Sequence, residues 1–208
     1  SDLDLGMNNW MADPFEYPDE PLNRGKVLDA EQLQQFIDDH GKWGRYLDVD
    51  KDGVPYRTLP GTDHAQAAYF TRGTGHNEYA VYSERSDDWV DNMHRLTRKA
   101  KTALSVLPAP KTDIDDSIKV GILTFGSNHP AMVEARDMLV AEGIQTNYMR
   151  VRALPLHDDV NAFIANHDRV YVIENNFDGQ LAQIIRLEHP EDITHVRSIT
   201  LGDGLPMT

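Results

Sequence analysis

An α/β fold, with a mainly parallel sheet covered by helices on both faces, is what the second half of this 208-residue chain predicts. Three observations predict it. Ile118 to Phe125, Thr146 to Val151, Val170 to Ile173 and Val196 to Leu201 are short apolar runs of strand length, rich in β-branched residues. Between them lie segments with apolar residues at helical spacing. The two patterns alternate at intervals that suit right-handed crossovers, the connection that parallel strands need. Ahead of this region the chain predicts an irregular arm, a short helix and one long helix.

Taken in order, residues 1–28 carry Leu3, Leu5, Trp10, Met11 and Phe15 without a sustained period, and Pro14, Pro18 and Pro21 forbid a helix through their second half. An extended arm fits best. Asp29 is the better N-cap for the next element, because Gln32 follows three residues on and Leu33, Phe36 and Ile37 give a short helix its stripe up to Gly41. Asp48-Val49-Asp50-Lys51-Asp52-Gly53 then matches the first half of a calcium loop, with Asp48, Asp50 and Asp52 as candidate metal ligands. The second half departs from it: Leu59 stands where a bidentate glutamate should close the site, and Pro55 interrupts the loop. The plainer reading is a turn whose aspartates cap backbone amides.

Residues 53–82 fit neither a helical nor a strand period. So long a connection is uncommon unless it is functional or disordered, and Tyr56, Tyr69, Phe70, Tyr79 and Tyr82 give it groups that pack. An ordered, donor-rich loop is expected. Its candidate site residues are Arg57, Thr58, Thr62, Arg72, Thr74 and His76; the alternative is a structural crossover whose polar groups cap neighbouring elements. A helix follows from Ser86, its natural N-cap, to about Leu107, with Trp89, Met93, Leu96, Ala100 and Ala103 as its apolar stripe. Arg95, Arg98, Lys99 and Lys101 read as a solvated face that complements the helix dipole. Residues 108–117, rich in Pro and Asp, read as a linker.

Ligands in such sheets bind beyond the carboxyl ends of the strands. Ser127 and Asn128, with the amides of the helix they start, could hold a phosphate or carboxylate there, although any strand-to-helix turn uses the same residues as a cap.

Composition narrows the partners. Lys plus Arg total 20 against 34 Asp plus Glu, a net charge of −14 that repels nucleic acid and anionic membranes. With no cysteine the chain ligates no iron–sulfur cluster and uses no thiolate, which suits a reducing cytoplasm. No apolar run reaches the ~18 residues of a membrane helix, and the opening SDLDLGMNNW lacks the regions of a signal peptide.

Several separated segments, DLDLGMNNWM, RYLDVDKDGVPYRTLPGT, FTRGTGHNEY, DNMHRLTRKAKTA, YMRVRALPL and VYVIENNFDGQL, together resemble the alpha subunit of 2-oxoacid:ferredoxin oxidoreductases, the 2-oxoglutarate type most closely. The resemblance implies that residues 1–28 end a thiamine-diphosphate pyrimidine-binding domain, that 29–116 connect, and that 117–208 form a transketolase C-terminal-like domain. It implies oxidative decarboxylation of a 2-oxoacid to an acyl-CoA, with electrons passed to ferredoxin. Thiamine diphosphate and Mg belong to the complete complex and the iron–sulfur cluster to the partner subunit, so none is expected on this chain alone. The implied partners are a beta subunit, ferredoxin, the 2-oxoacid and coenzyme A, in a cytoplasmic hetero-oligomer, and the isolated chain is expected to be inactive. A 2-oxo-dicarboxylate needs a fixed cation for its distal carboxylate. Arg57 with Thr58 and Thr62 is the first candidate, and Arg72 with Thr74 and His76 the second. The competing expectation is an assembly or regulatory module with no residue at the active site.

Overall fold

A capping box starts the first helix, α1 (Ala30–His40): the Asp29 carboxylate accepts the Gln32 amide at 2.8 Å and the Gln32 side chain accepts the Asp29 amide at 3.0 Å. Gly41, at φ 76°, ends it. These elements belong to a computed structural model that describes residues 16, 19, 23–71, 73–189 and 193–207. They divide into one unit up to residue 106 and another from 107 onward. The arm read as the end of a pyrimidine-binding domain lies outside the described residues except for 16, 19 and 23–28. In the first unit Leu33 and Phe36 of α1 pack with Leu28 and Trp43 into a small core.

The long helix, α2 (Ser86–Ala103), stops four residues short of Leu107, and Arg85 rather than Ser86 occupies the cap position. Its orientation differs more. Trp89 is 60% exposed and Leu96 41%, while Arg95, expected in solvent, is buried. The facing loop explains the inversion. Arg95 donates to the Gly53 carbonyl at 3.3 Å, Thr102 donates to the Asp52 carbonyl, and Arg98 pairs with Asp48 at 2.9 Å. A Cβ on Gly53 would lie 2.2 Å from the Lys99 nitrogen and 2.5 Å from the Arg95 oxygen, so the loop backbone lies directly on the helix and only glycine fits. The polar face of α2 therefore faces inward.

The second unit is the expected α/β fold. Strands β1 (Lys111–Asp113), β2 (Val120–Phe125), β3 (Asn147–Val151), β4 (Arg169–Glu174) and β5 (Val196–Thr200) form one sheet in the order β1-β3-β2-β4-β5. All neighbours are parallel except β1, which runs antiparallel to β3. The segment read as a linker thus contains an edge strand. Helices α3 (His129–Ala141), α4 (Asp158–Ala165) and α5 (Gln180–Glu188) connect the parallel strands. Because β2 pairs with both β3 and β4, the chain reverses direction across the sheet there, and successive right-handed crossovers put α3 on one face and α4 with α5 on the other.

Alternate residues of β2 confirm the two faces: Leu123 joins Met149, Val160, Phe163, Val172 and Ile185 in the larger core, and Ile122 joins Tyr148 and Met132 in the smaller. Each fully buried Val or Ile in the larger core contributes about 1.5–3 kcal/mol. At the carboxyl end of β4, Glu174 is fully buried, and its carboxylate accepts the Leu181 amide at 2.6 Å, the Ala182 amide at 3.0 Å and the Asn176 side chain at 2.9 Å. Asn176 in turn accepts the Gly179 amide at 2.7 Å. The first turn of α5 is thereby saturated by the chain itself.

Glu174→Gln places an amide donor against backbone donors. Its expected cost is about 2 kcal/mol, so the Leu181 and Ala182 amides should exchange about thirtyfold faster in native-state hydrogen exchange. Exchange at the wild-type rate would show that the buried carboxylate does not hold the helix start.

Candidate functional site

The loop over residues 53–82 is ordered without regular structure, because its backbone is tied at both ends. Arg57 forms a parallel bridge with Val27, and His76 an antiparallel one with Tyr82. Beside the first bridge the Arg57 guanidinium donates to the Arg24 carbonyl at 2.7 Å. Thr58 is buried, its hydroxyl donating to the Ala67 carbonyl at 2.6 Å, and Thr62 donates to the Leu59 carbonyl at 2.9 Å. Thr58 and Thr62 line a cavity of about 490 Å³ with His64 and Tyr69.

His76 lies elsewhere in the same unit. It is buried, its ring stacked on Tyr46 with centroids 4.0 Å apart. Nδ1 lies 2.9 Å from the Asn77 carbonyl, and Nε2 lies 3.2 Å from the Asn92 amide nitrogen. Because a carbonyl only accepts, Nδ1 carries the proton and Nε2 accepts from Asn92. The orientation of Asn92 follows from Arg95, which donates to its side-chain oxygen at 2.8 Å. Burial pulls the Arg95 guanidinium below its ordinary pKa, and the charge of Asp48 opposes that. Tyr46, Asp48, His76, Asn92, Arg95 and Arg98 line a cavity of about 430 Å³.

The five candidates among the described residues therefore do not converge. Thr58 and Thr62 share one cavity, His76 lines a second, and exposed Thr74 lines a third of about 480 Å³ with Tyr82, Trp89 and Val90. Arg57 lines none of the three, and Arg72 lies outside the described residues. Sequence reasoning missed Asn92 and Arg95 as neighbours of His76. The available signal was the polar stripe of Asp88, Asn92, Arg95 and Thr102, which recurs at helical spacing as regularly as the apolar one.

Asp48, Asp50 and Asp52, the candidate metal ligands, turn toward protein cations. Lys26 Nζ lies 2.6 Å from Asp50 and 2.7 Å from Asp52, while Asp48 accepts the Gly53 amide at 2.9 Å and pairs with Arg98. Among the described residues no group of three or more metal-ligating side chains comes together. The motif is here a turn closed by an ammonium and a guanidinium.

At the carboxyl edge of the sheet Asn128 points inward, donating to Thr124 at 3.3 Å, so it does not offer its side chain to an anion. His129 Nδ1 and the Tyr148 hydroxyl lie 3.0 Å apart. Burial lowers the His129 pKa, with Arg150 adding to the effect, and burial raises that of Tyr148 against the pull of Arg150 and Arg136. Asp203 of Gly202-Asp203-Gly204 accepts the Leu205 amide at 2.9 Å, an ordinary turn. Among the described residues no helix is long and apolar enough to cross a membrane.

Comparison with known proteins places this geometry. The chain is 28% identical over 171 residues to 2-oxoacid:ferredoxin oxidoreductase 2, subunit alpha, of Aeropyrum pernix, covering 80% of this chain and 25% of that protein. It is 26% identical over 195 residues to the 2-oxoacid:ferredoxin oxidoreductase subunit alpha of Saccharolobus solfataricus, covering 89% and 28%. It spans about a quarter of the length of these curated relatives. The structure of 2-oxoglutarate:ferredoxin oxidoreductase from Magnetococcus marinus, with 2-oxoglutarate, coenzyme A and succinyl-CoA bound, matches with a TM-score of 0.68 and 28% identity over 82% of this chain and 29% of that one. No family model matches the chain.

The Lys26 clamp has a defined pH window. Partial burial alone would depress the ammonium, but hydrogen bonds and charge from Asp50 and Asp52 outweigh it and raise Lys26 above its ordinary 10.5. The hydrogen bonds from Lys26 hold Asp50 and Asp52 below their ordinary 3.8. The depressed aspartates contribute stability that is present above pH 3.8 and lost as the pH falls through their folded values; the raised lysine contributes stability present below pH 10.5 and lost as the pH rises through its own. The side chains are 23–42% exposed, so solvent screening limits the gain to roughly 0.5–1 kcal/mol. Lys26→Met should lower the thermal midpoint at pH 7 and leave no difference from wild type near the acid limit of the folded state, well below pH 3.8. Equal differences at both pH values would count against the clamp.

Proposed function

We propose that the chain is the C-terminal portion of a 2-oxoacid:ferredoxin oxidoreductase alpha subunit, of the type that acts on 2-oxoglutarate. In this reading the complete complex decarboxylates the 2-oxoacid oxidatively to its acyl-CoA and passes the electrons to ferredoxin. A beta subunit completes the cytoplasmic hetero-oligomer. Thiamine diphosphate and magnesium are held outside the described residues, and the iron–sulfur cluster sits in the partner subunit. This portion supplies a substrate-recognition loop and subunit contacts, and by itself is inactive.

The observation that carries the reading is the reach of the likeness. The matches cover 80–89% of the chain, more than either structural unit alone can supply, so they run through both the loop-and-helix unit and the sheet. For the substrate, the likeness to the Magnetococcus marinus enzyme, whose structure has 2-oxoglutarate bound, supports 2-oxoglutarate. A second carboxylate calls for a guanidinium with parallel donors to offer. Arg57 uses an N–H of one terminal nitrogen on Arg24, and its backbone is pinned by Val27, which leaves the other N–H groups on a rigid mount. In this assignment Thr58, Thr62 and His76 act by shaping the loop, and Arg72 with Thr74 is the second cation candidate.

One observation favours an assembly or regulatory module instead: Thr58, Thr62 and His76 already have partners inside the loop, and the candidates fall in separate cavities. Steady-state kinetics of the intact alpha subunit with its beta partner, reading viologen reduction that depends on a 2-oxoacid and coenzyme A, separates the two. Arg57→Ala should raise KM for 2-oxoglutarate about 10–100-fold, the loss of a charge-assisted pair, and change that for pyruvate little. Equal rises for both acids would remove the specificity role. Unchanged turnover in Arg57→Ala, Arg72→Ala and His76→Ala would establish the assembly reading, and no reduction with any 2-oxoacid would overturn the enzyme reading.

A further inference from the structure

The first unit is built inside out along α2. Its core is four side chains, Leu28, Leu33, Phe36 and Trp43, whereas Phe70, Val81, Tyr82, Trp89, Val90 and Leu96 are all exposed. Trp89, Met93, Leu96 and Ala100 recur at steps of four and three, so they form one stripe about 16 Å long on α2. Tyr82, Trp89 and Val90 also share the wall of one cavity of about 480 Å³, which makes the upper end of the stripe a hollow rather than scattered contacts. A contiguous apolar surface of this kind marks an interaction site more often than bare surface.

We propose that this face docks the alpha-subunit polypeptide that the relatives carry outside the quarter matched here, an inference that rests on the function proposed above. Three arguments select that occupant. The curated relatives extend over roughly four times the length matched, so a large covalently linked partner is at hand. Tethering raises its effective concentration to about the millimolar range, so an apolar stripe without ionic hot spots suffices. Of the charges beside the face, Arg85 is already matched by Asp87, which suits a partner surface that is aliphatic and aromatic rather than charged. A second copy of the chain is the weaker occupant, because each copy brings a net charge of −14.

Hydroxyl-radical footprinting read by mass spectrometry tests this, in the 208-residue chain alone and in the intact alpha subunit with its beta partner. Trp89, 60% exposed, should oxidise readily in the chain alone and at least tenfold more slowly in the intact subunit, with buried Trp43 protected in both as the internal standard. Equal rates in the two samples would overturn the proposal. So would protection in the chain alone: if it grows with concentration the occupant is a second copy, and if it does not the chain covers the face itself. Leu96→Asp should leave the thermal midpoint of the isolated chain unchanged, since the side chain is exposed there, and reduce the yield of the soluble alpha–beta assembly at least tenfold; an unaltered yield contradicts the docking. Viologen reduction on the same samples keeps the two claims apart. Reduction with a 2-oxoacid while Trp89 stays reactive sinks the docking alone, and protection of Trp89 without reduction sinks the enzymatic reading alone.

Discussion

One buried guanidinium organises the loop-and-helix unit. Arg95 reaches the Gly53 carbonyl with one terminal nitrogen and the Asn92 side chain with the other, so one residue of α2 ties the aspartate-rich turn to the His76 loop. Removing such a cation from water costs several kcal/mol unless its donors are met. Nε has no hydrogen-bond partner among the described residues, and that cost is carried where the Tyr46 ring lies 5.4 Å away and Asp48 supplies compensating charge. The loop cannot move off the helix without stranding this charge. That constraint explains how nearly thirty residues without regular structure hold one conformation.

The sheet unit solves a different problem with the same economy. Parallel strands followed by helices leave positive helix starts at the carboxyl edge, the usual place for an anionic ligand. Here the first turn of α5 is closed by Glu174 and Asn176 from within the chain. The entry to α3 is stiffened by Asn128 turning inward and by Arg150 donating to the Gly126 carbonyl at 2.9 Å. An edge whose polar groups are consumed internally is suited to geometry and contact more than to holding a phosphate. The exposed Phe125, which ends β2, and Leu154, Phe177 and Leu205, which follow β3, β4 and β5, agree with contact.

What could be read from residues was the part set by local periodicity. The β-branched runs placed β2 to β5, the Asp29 and Gln32 pair placed the start of α1, and Gly41 placed its end. The edge strand β1 was hidden because three exposed polar residues, Lys111 to Asp113, carry no alternation; they are a strand only because β3 offers them a partner. The facing of α2 was hidden for a related reason. Its polar and apolar stripes are equally periodic, and which one turns inward depends on the Gly53 backbone some forty residues away. The aspartate motif carried a cation, as its charge demands, but the cation came from Lys26, a residue that spacing within the motif could not name.

A recognition group is only as precise as its mount, and the mount of Arg57 is a paired backbone. Arg57 sits where the chain is bonded on both sides, its amide donating to the Lys26 carbonyl at 2.9 Å and its carbonyl accepting the Leu28 amide at 2.8 Å. That places its guanidinium beside the segment that leads into α1 and, through Lys26, beside the aspartate turn. A change in the clamp is therefore also a change in where Arg57 stands. Stability of the turn and the position of Arg57 are coupled through one backbone bridge, so under the proposed function Lys26 would act as a positioning residue although it touches none of the candidate cavities.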